Sequence, residues 1–288
     1  PGNPQGPGWI GRFLDLQPSP VDPLVGWNTA SETPRVLQAR GVDVPAIPSV
    51  GSYVFSSPNG GIEAQRSRAA ATRIASHVPL DRPHLALVNA TVNSAMATLD
   101  RVAAVGRYVP SVTYPTTGLG QAFRAIAGAI VGDVGTKVFW VQTGGFDTHA
   151  GQGVNLASGG YYRLMETVDA ALSAFHADLR NQGALQDTLV LQFSEFGRRI
   201  PENGSAGTDH GAASAMLLLG GRVRGGIVGT APDLRPTPDN PTLENSGGDV
   251  AMETDFRSVY AEAIDKWLGA SSVTLLGGDF RNPAVRLL

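Results

Sequence analysis

The sequence predicts an α/β fold, with a mainly parallel sheet covered by helices on both faces. Three observations predict it. In the second half of the chain, short apolar runs of strand length alternate with long amphipathic helical stretches. Those runs are continuously apolar, as in strands buried on both faces. Polar, glycine-rich loops border them, where ligand sites gather in open α/β sheets. With 288 residues, 42% of them hydrophobic, the chain suffices for one large core, and a single domain over 1–288 is expected.

The elements follow in order. Pro1 to Pro7 is rich in Pro and Gly and reads as a loop. Gly8 to Leu14 has helical apolar spacing, and the prolines from Pro18 to Pro23 break it. Val36 to Val54 reads as short strands or extended loop. Helices are predicted over Gly61 to His77, Leu85 to Val105 and Leu119 to Val131. The second carries Leu85, Val88, Val92, Ala95, Leu99 and Val102 near helical period, with Gly106 as its stop. Lys137 to Gln142 is a first buried strand. Tyr161 to Asn181 is a helix with Leu164, Val168, Leu172, Phe175 and Leu179 on one stripe, ended by Gly183. Thr188 to Phe193 and Ala215 to Leu219 are further strands. Asp255 to Leu268 is a helix, with Thr254 or Asp255 as N-cap. Strand, helix, strand, long loop, strand is the order of a parallel sheet. The polar loop over 232–253 is long for a compact domain, and such loops are often functional.

Composition excludes several classes. A net charge of −3 gives no electrostatic case for nucleic acid or an anionic membrane. No run approaches the roughly 20 apolar residues of a transmembrane helix. With no cysteine, thiolate metal sites and disulfides are ruled out. The chain opens on Pro1-Gly2-Asn3 rather than Met and shows no signal peptide, so a processed or truncated product is expected. There is no Gly-X-Ser-X-Gly elbow, no phosphate-binding loop and no dinucleotide fingerprint.

Two loops carry the chemistry, Gly144-Gly145-Phe146-Asp147-Thr148-His149 and Gly207-Thr208-Asp209-His210-Gly211. Imidazole and carboxylate are good ligands for zinc, manganese or iron, and calcium or magnesium would also accept the carboxylates. Asp147 and His149 sit two apart after two glycines, so both side chains can turn toward one point. Asp209 and His210 are adjacent, so they serve two ions, or one ligates while the other orients. Glu195, at the end of the second strand, is a further ligand or an ion-pair partner of Arg198. Three carboxylates together require a cation or an arginine to balance them. Arg198 and Arg199 either hold an anionic substrate through paired hydrogen bonds or form a salt-bridged edge. His77 and His84 lie near helix ends and read as surface or capping groups, and His176, beside an apolar stripe, reads as structural.

The motifs Gly-Gly-Phe-Asp147-Thr-His149, Ser194-Glu195-Phe196-Gly197-Arg198, Gly207-Thr-Asp209-His210-Gly211 and Thr254-Asp255-Phe256-Arg257 resemble those of the domain-of-unknown-function 1501 family, as does Gly8-Trp9-Ile10-Gly11-Arg12. That bacterial family is similar in turn to the alkaline-phosphatase and sulfatase superfamily. The resemblance implies an alkaline-phosphatase-like fold apparently lacking its N-terminal segment, and export through a twin-arginine signal to the periplasm or the exterior. It places Asp147, His149 and His210 at metal-binding positions. It also implies departures. Glu195-Phe196 stands where phosphatases carry an adjacent Asp-His pair. Their nucleophile and a further metal-binding Asp come from the N-terminal region, so neither a covalent phosphoryl-enzyme nor a complete two-metal site has its residues here.

The expected function is therefore an exported metal-dependent hydrolase of phosphate or sulfate esters. Asp147, His149, Asp209 and His210 would hold a divalent metal, Zn or Mn before Ca or Mg, with help from Glu195. Arg198 would bind the anionic small-molecule or glycan ester, and a metal-bound water would attack. The alternatives are a non-catalytic envelope or glycan-binding protein on the same fold, with a structural metal or none, and a metal-dependent hydrolase of a neutral substrate in which Arg198 merely pairs with Glu195.

Overall fold

The computed structural model describes residues 6–18, 21–77, 81–153, 159–235, 237, 239–245 and 247–288. Most of the loop expected at Pro1 to Pro7 lies outside these residues, as do parts of 232–253. The chain divides into two compact units, one running through Gln142 and the other covering Thr143–Leu288.

The first unit opens with helix α1 (Trp9–Leu14), which buries Ile10, Phe13 and Leu14. Its two glycines are packing requirements. A side chain at Gly8 or Gly11 would overlap the backbone of Val36 or Gln38. Strand β1 (Gly26–Asn28) pairs in parallel with β2 (Val138–Trp140), with Trp27 opposite Phe139. Asn28 is fully buried and turns the chain after β1: its amide donates to the carbonyls of Ala30 and Glu32 at 3.1 and 2.8 Å. The region from Val36 to Val54 forms two short 3-10 turns, Arg35–Leu37 and Val50–Ser52, with a single bridge from Ala46 to Asn28.

Three helices complete this unit. Helices α2 (Gly61–Ala75), α3 (Pro83–Val105) and α4 (Gly118–Val131) match the predicted spans to within two residues at each end. Pro83 opens α3, where its missing N–H costs nothing. Thr117 caps α4 by accepting from the Gly120 amide at 3.2 Å. Two asparagines of α3 satisfy carbonyls at the end of α2: Asn93 donates to Ala75 at 2.7 Å and Asn89 to His77 at 2.6 Å. The core gathers Leu24, Trp27, Ile47, Val102, Val105, Ala129 and Val134.

The second unit begins with α5 (Gly160–Asn181), which buries Ala171, Leu172, Phe175 and Leu179. Gly183, at φ 75°, ends it, and the Ala184 amide returns to the Leu179 carbonyl at 2.8 Å. Strand β3 (Leu189–Gln192) pairs antiparallel with β6 (Leu217–Gly220), and β4 (Gly197–Arg198) pairs antiparallel with β5 (His210–Gly211). These two ladders are successive stretches of one hairpin. Four residues, 193–196, separate them on the outgoing arm and five, 212–216, on the return arm, a one-residue offset like that of a bulge. Leu191, Leu218 and Met216 pack on Val259, Val285 and Leu287. Within 232–253, β7 (Leu243–Glu244) pairs antiparallel with β8 (Asp249–Val250). Helix α6 (Phe256–Glu262) is capped by Asp255, and its predicted continuation to Leu268 is a π-helical segment, Ala263–Trp267. Helix α7 (Ser272–Leu276) follows.

The sheet differs from the one expected. Among the described residues the strands form four two-stranded sheets, and only β1–β2 is parallel. No mainly parallel sheet with helices on both faces is shown. The physical reason in the second unit lies in the connection between β3 and β6. A parallel neighbour needs a crossover of a dozen or more residues, usually a helix. Here the intervening stretch contains its own antiparallel ladder and reverses the chain.

Trp27 is fully buried at the centre of the first core, and its indole donates to the Ile47 carbonyl at 3.4 Å. Trp27→Ala should lower the unfolding free energy by about 3–5 kcal/mol, read by denaturant titration.

Candidate metal centre

Both motif loops lie in the second unit, and the long hairpin places one of them. The β4–β5 register sets Arg198 opposite His210, and both side chains reach Asp147 in the other loop. Glycine is required on both arms. A Cβ on Gly197 would overlap the Ala213 carbonyl, and one on Gly211 would lie 2.6 Å from the Arg198 carbonyl carbon. Gly207 is equally constrained, since a Cβ there would lie 2.5 Å from the carbonyl oxygens of Thr148 and His149. Gly145 adopts φ 93°, which disfavours any side chain before Phe146.

Backbone and side-chain bonds knit the two loops. Thr208 donates its amide to the Thr148 carbonyl at 3.2 Å, Gly151 to Ser205 at 3.0 Å and Gln152 to Ala206 at 2.9 Å. The Gln152 side-chain oxygen accepts from both threonine hydroxyls, Thr208 at 2.8 Å and Thr148 at 3.2 Å. Arg198 is the strongest tie. Its guanidinium donates to the carbonyls of Thr208, at 2.7 Å, and Phe146, and to the Asp147 carboxylate at 3.2 Å. Its side chain is only 14% exposed. The fork is thus committed to protein acceptors in both loops.

Three nitrogens gather at one oxygen of Asp147. His210 Nε2 lies 2.8 Å from Oδ1, His149 Nε2 3.1 Å and Arg198 Nη2 3.2 Å. One ligand atom each from Asp147, His149 and His210 falls within 4.8 Å of the others, and all three residues are exposed. The other nitrogen of His149 faces Asp209, with Nδ1 3.1 Å from Oδ1. A neutral imidazole donating there turns its Nε2 lone pair toward the Asp147 carboxylate. Two lone-pair donors face each other stably only across a proton or a cation. The donor set therefore fits a divalent ion of the zinc or manganese type, with two imidazoles and one carboxylate and further positions open.

The remaining predicted residues fall into place around this group. Asp209 stands behind His149, outside the three-ligand group. Glu195 is exposed and also lies outside it. Arg199 pairs instead with the buried Asp249 of β8, at 3.6 Å. Phe196 stacks flat on His210 with ring centroids 3.9 Å apart and planes 5° apart.

Sequence reasoning missed Asn203. Its amide nitrogen donates to the His149 carbonyl at 2.9 Å and to Asp209 Oδ1 at 3.0 Å. Its oxygen accepts the amides of Ser205 at 2.9 Å and Gly207 at 3.1 Å. Pro201-Glu202-Asn203-Gly204 reads as an ordinary turn, and only its position before Gly207-Thr208-Asp209 signals a role.

The hydrogen bond from His210 holds the Asp147 carboxyl below its ordinary 3.8, with the charges of His149, His210 and Arg198 adding to the effect. Hydrogen bonds from Asn203 and then His149 do the same for Asp209. A carboxyl lowered on folding contributes stability that is fully present above 3.8 and is lost as pH falls through its depressed value. In metal-free protein, Asn203→Ala should therefore raise the Asp209 titration toward 3.8, read by carboxyl NMR; an unmoved titration would remove Asn203 from this role.

Comparison with known proteins returns a single finding. No curated protein and no solved structure is found to match the chain. A family model described as "Protein of unknown function (DUF1501)" matches residues 62–272, a span holding both ligand loops. The chain belongs to the DUF1501 family.

Proposed function

We propose that this chain is an exported, divalent-metal-dependent hydrolase of phosphate or sulfate esters. The observation that carries the metal assignment is the convergence of Asp147, His149 and His210 within 4.8 Å. Three protein ligands with open positions is the pattern of catalytic rather than structural zinc sites. An ion held there would supply Lewis-acid polarisation of an ester oxygen. Asp147, His149 and His210 would hold it, and the stacked Phe196 would fix the His210 ring plane. The ester class and the export rest on the resemblance of the motifs to the alkaline-phosphatase and sulfatase superfamily.

One observation favours a second reading. The Arg198 fork bonds Phe146, Thr208 and Asp147, and so is not free to grip an anion. A neutral substrate, or a non-catalytic protein with a structural ion, fits that arrangement.

Purified protein never exposed to chelator should contain one equivalent of zinc or manganese by elemental analysis. It should hydrolyse generic phosphate or sulfate esters, and His149→Ala should abolish both metal and turnover. Metal without turnover on any ester would select the second reading, and failure to bind zinc or manganese both as purified and on titration with the free ion would defeat both metal-based readings.

A further inference from the structure

Asp209 is the acidic neighbour of a ligand and could be taken for a ligand itself. Its surroundings assign it differently. One oxygen, Oδ1, already accepts two donors: His149 Nδ1 at 3.1 Å and Asn203 Nδ2 at 3.0 Å. Its own main-chain carbonyl accepts the Arg199 amide at 2.9 Å, which holds the residue in the hairpin tip. An ionised carboxylate can only accept. A proton shared between it and His149 therefore resides on Nδ1, and in the neutral imidazole Nε2 then presents its lone pair toward Asp147 Oδ1, 3.1 Å away.

Asn203 makes this arrangement rigid. It touches the carbonyl of His149 and the carboxylate of Asp209 with the same amide nitrogen, so both ends of the Asp209–His149 contact are tied to one group. Its oxygen is held in turn by the amides of Ser205 and Gly207. Ala206, between those two, adopts the left-handed φ of 57°, which an alanine keeps only where its surroundings dictate it.

We propose that Asp209, braced by Asn203, is a positioning residue that fixes the tautomer and ring orientation of His149 rather than a metal ligand. The inference rests on the metal reading of the same site. It makes that site a carboxylate–histidine–metal relay, in which the outer carboxylate sets ligand basicity and geometry.

The test compares zinc affinity, measured by chelator competition, across the wild type and three variants. Asp209→Asn keeps an oxygen that can accept from both His149 and Asn203, and should weaken binding by no more than about tenfold. Asp209→Ala removes the acceptor and should weaken it about 10–100-fold. Asp147→Asn removes a ligand and should weaken it more than either. If Asp209→Asn is as damaging as Asp147→Asn, Asp209 is a ligand and the proposal is overturned. Nitrogen-15 NMR of the His149 ring in metal-free protein separates this proposal from the metal reading. A wild-type ring protonated at Nδ1, and a mixture of tautomers in Asp209→Ala, supports the positioning role even if zinc does not bind, in which case the metal reading alone fails. A wild-type ring protonated at Nε2 overturns the positioning role whatever the zinc result.

Discussion

The guanidinium of Arg198 is the interaction on which the site depends. It is largely withdrawn from water, and a cation so placed depends on the acceptors that meet its two terminal nitrogens. Those acceptors are two main-chain carbonyls, of Phe146 and Thr208, and the Asp147 carboxylate. They belong to two loops separated by about sixty residues of sequence. One planar fork therefore sets the spacing between the loops, and it touches the very oxygen at which the imidazoles converge. The glycines at 197, 207 and 211 serve the same end, since each removes a side chain where two backbones approach. The charge of Arg198 and the shape of the motif loops are two sides of one constraint.

Much of this was legible in sequence, for identifiable reasons. Asp147, His149 and His210 stood out because two glycine-bounded loops each offered an imidazole beside a carboxylate. Their convergence follows from pairing Gly197 with Gly211 across the hairpin, which the sequence did not display. The roles of Asp209 and Arg198 depend on which neighbour each touches, so residue type alone left alternatives open. Asn203 escaped notice because an asparagine before glycine is so common a turn element that its side-chain bonds to His149 and Asp209 leave no distinctive pattern.

The helices were the most readable part of the fold, because apolar spacing and caps act locally. Gly183 after α5 and Asp255 before α6 end and begin their helices where composition places them. Strand pairing is not local. The apolar runs at Leu189–Gln192 and Leu217–Gly220 were identified as strands, yet a continuous apolar run says nothing about the direction of its neighbour. What set the direction was the short ladder from Gly197 to Gly211, two residues on each arm and too brief to register as periodicity.

The three converging side chains lie open to solvent rather than at the bottom of a cleft, with Asp147 59%, His149 49% and His210 47% exposed. A cation taken up in such a place would trade readily with the surrounding medium. Occupancy would then track the free-ion concentration of the compartment, and the identity of the bound element would be set by supply as much as by ligand preference. The environment, more than the polypeptide, would decide when such a centre is loaded.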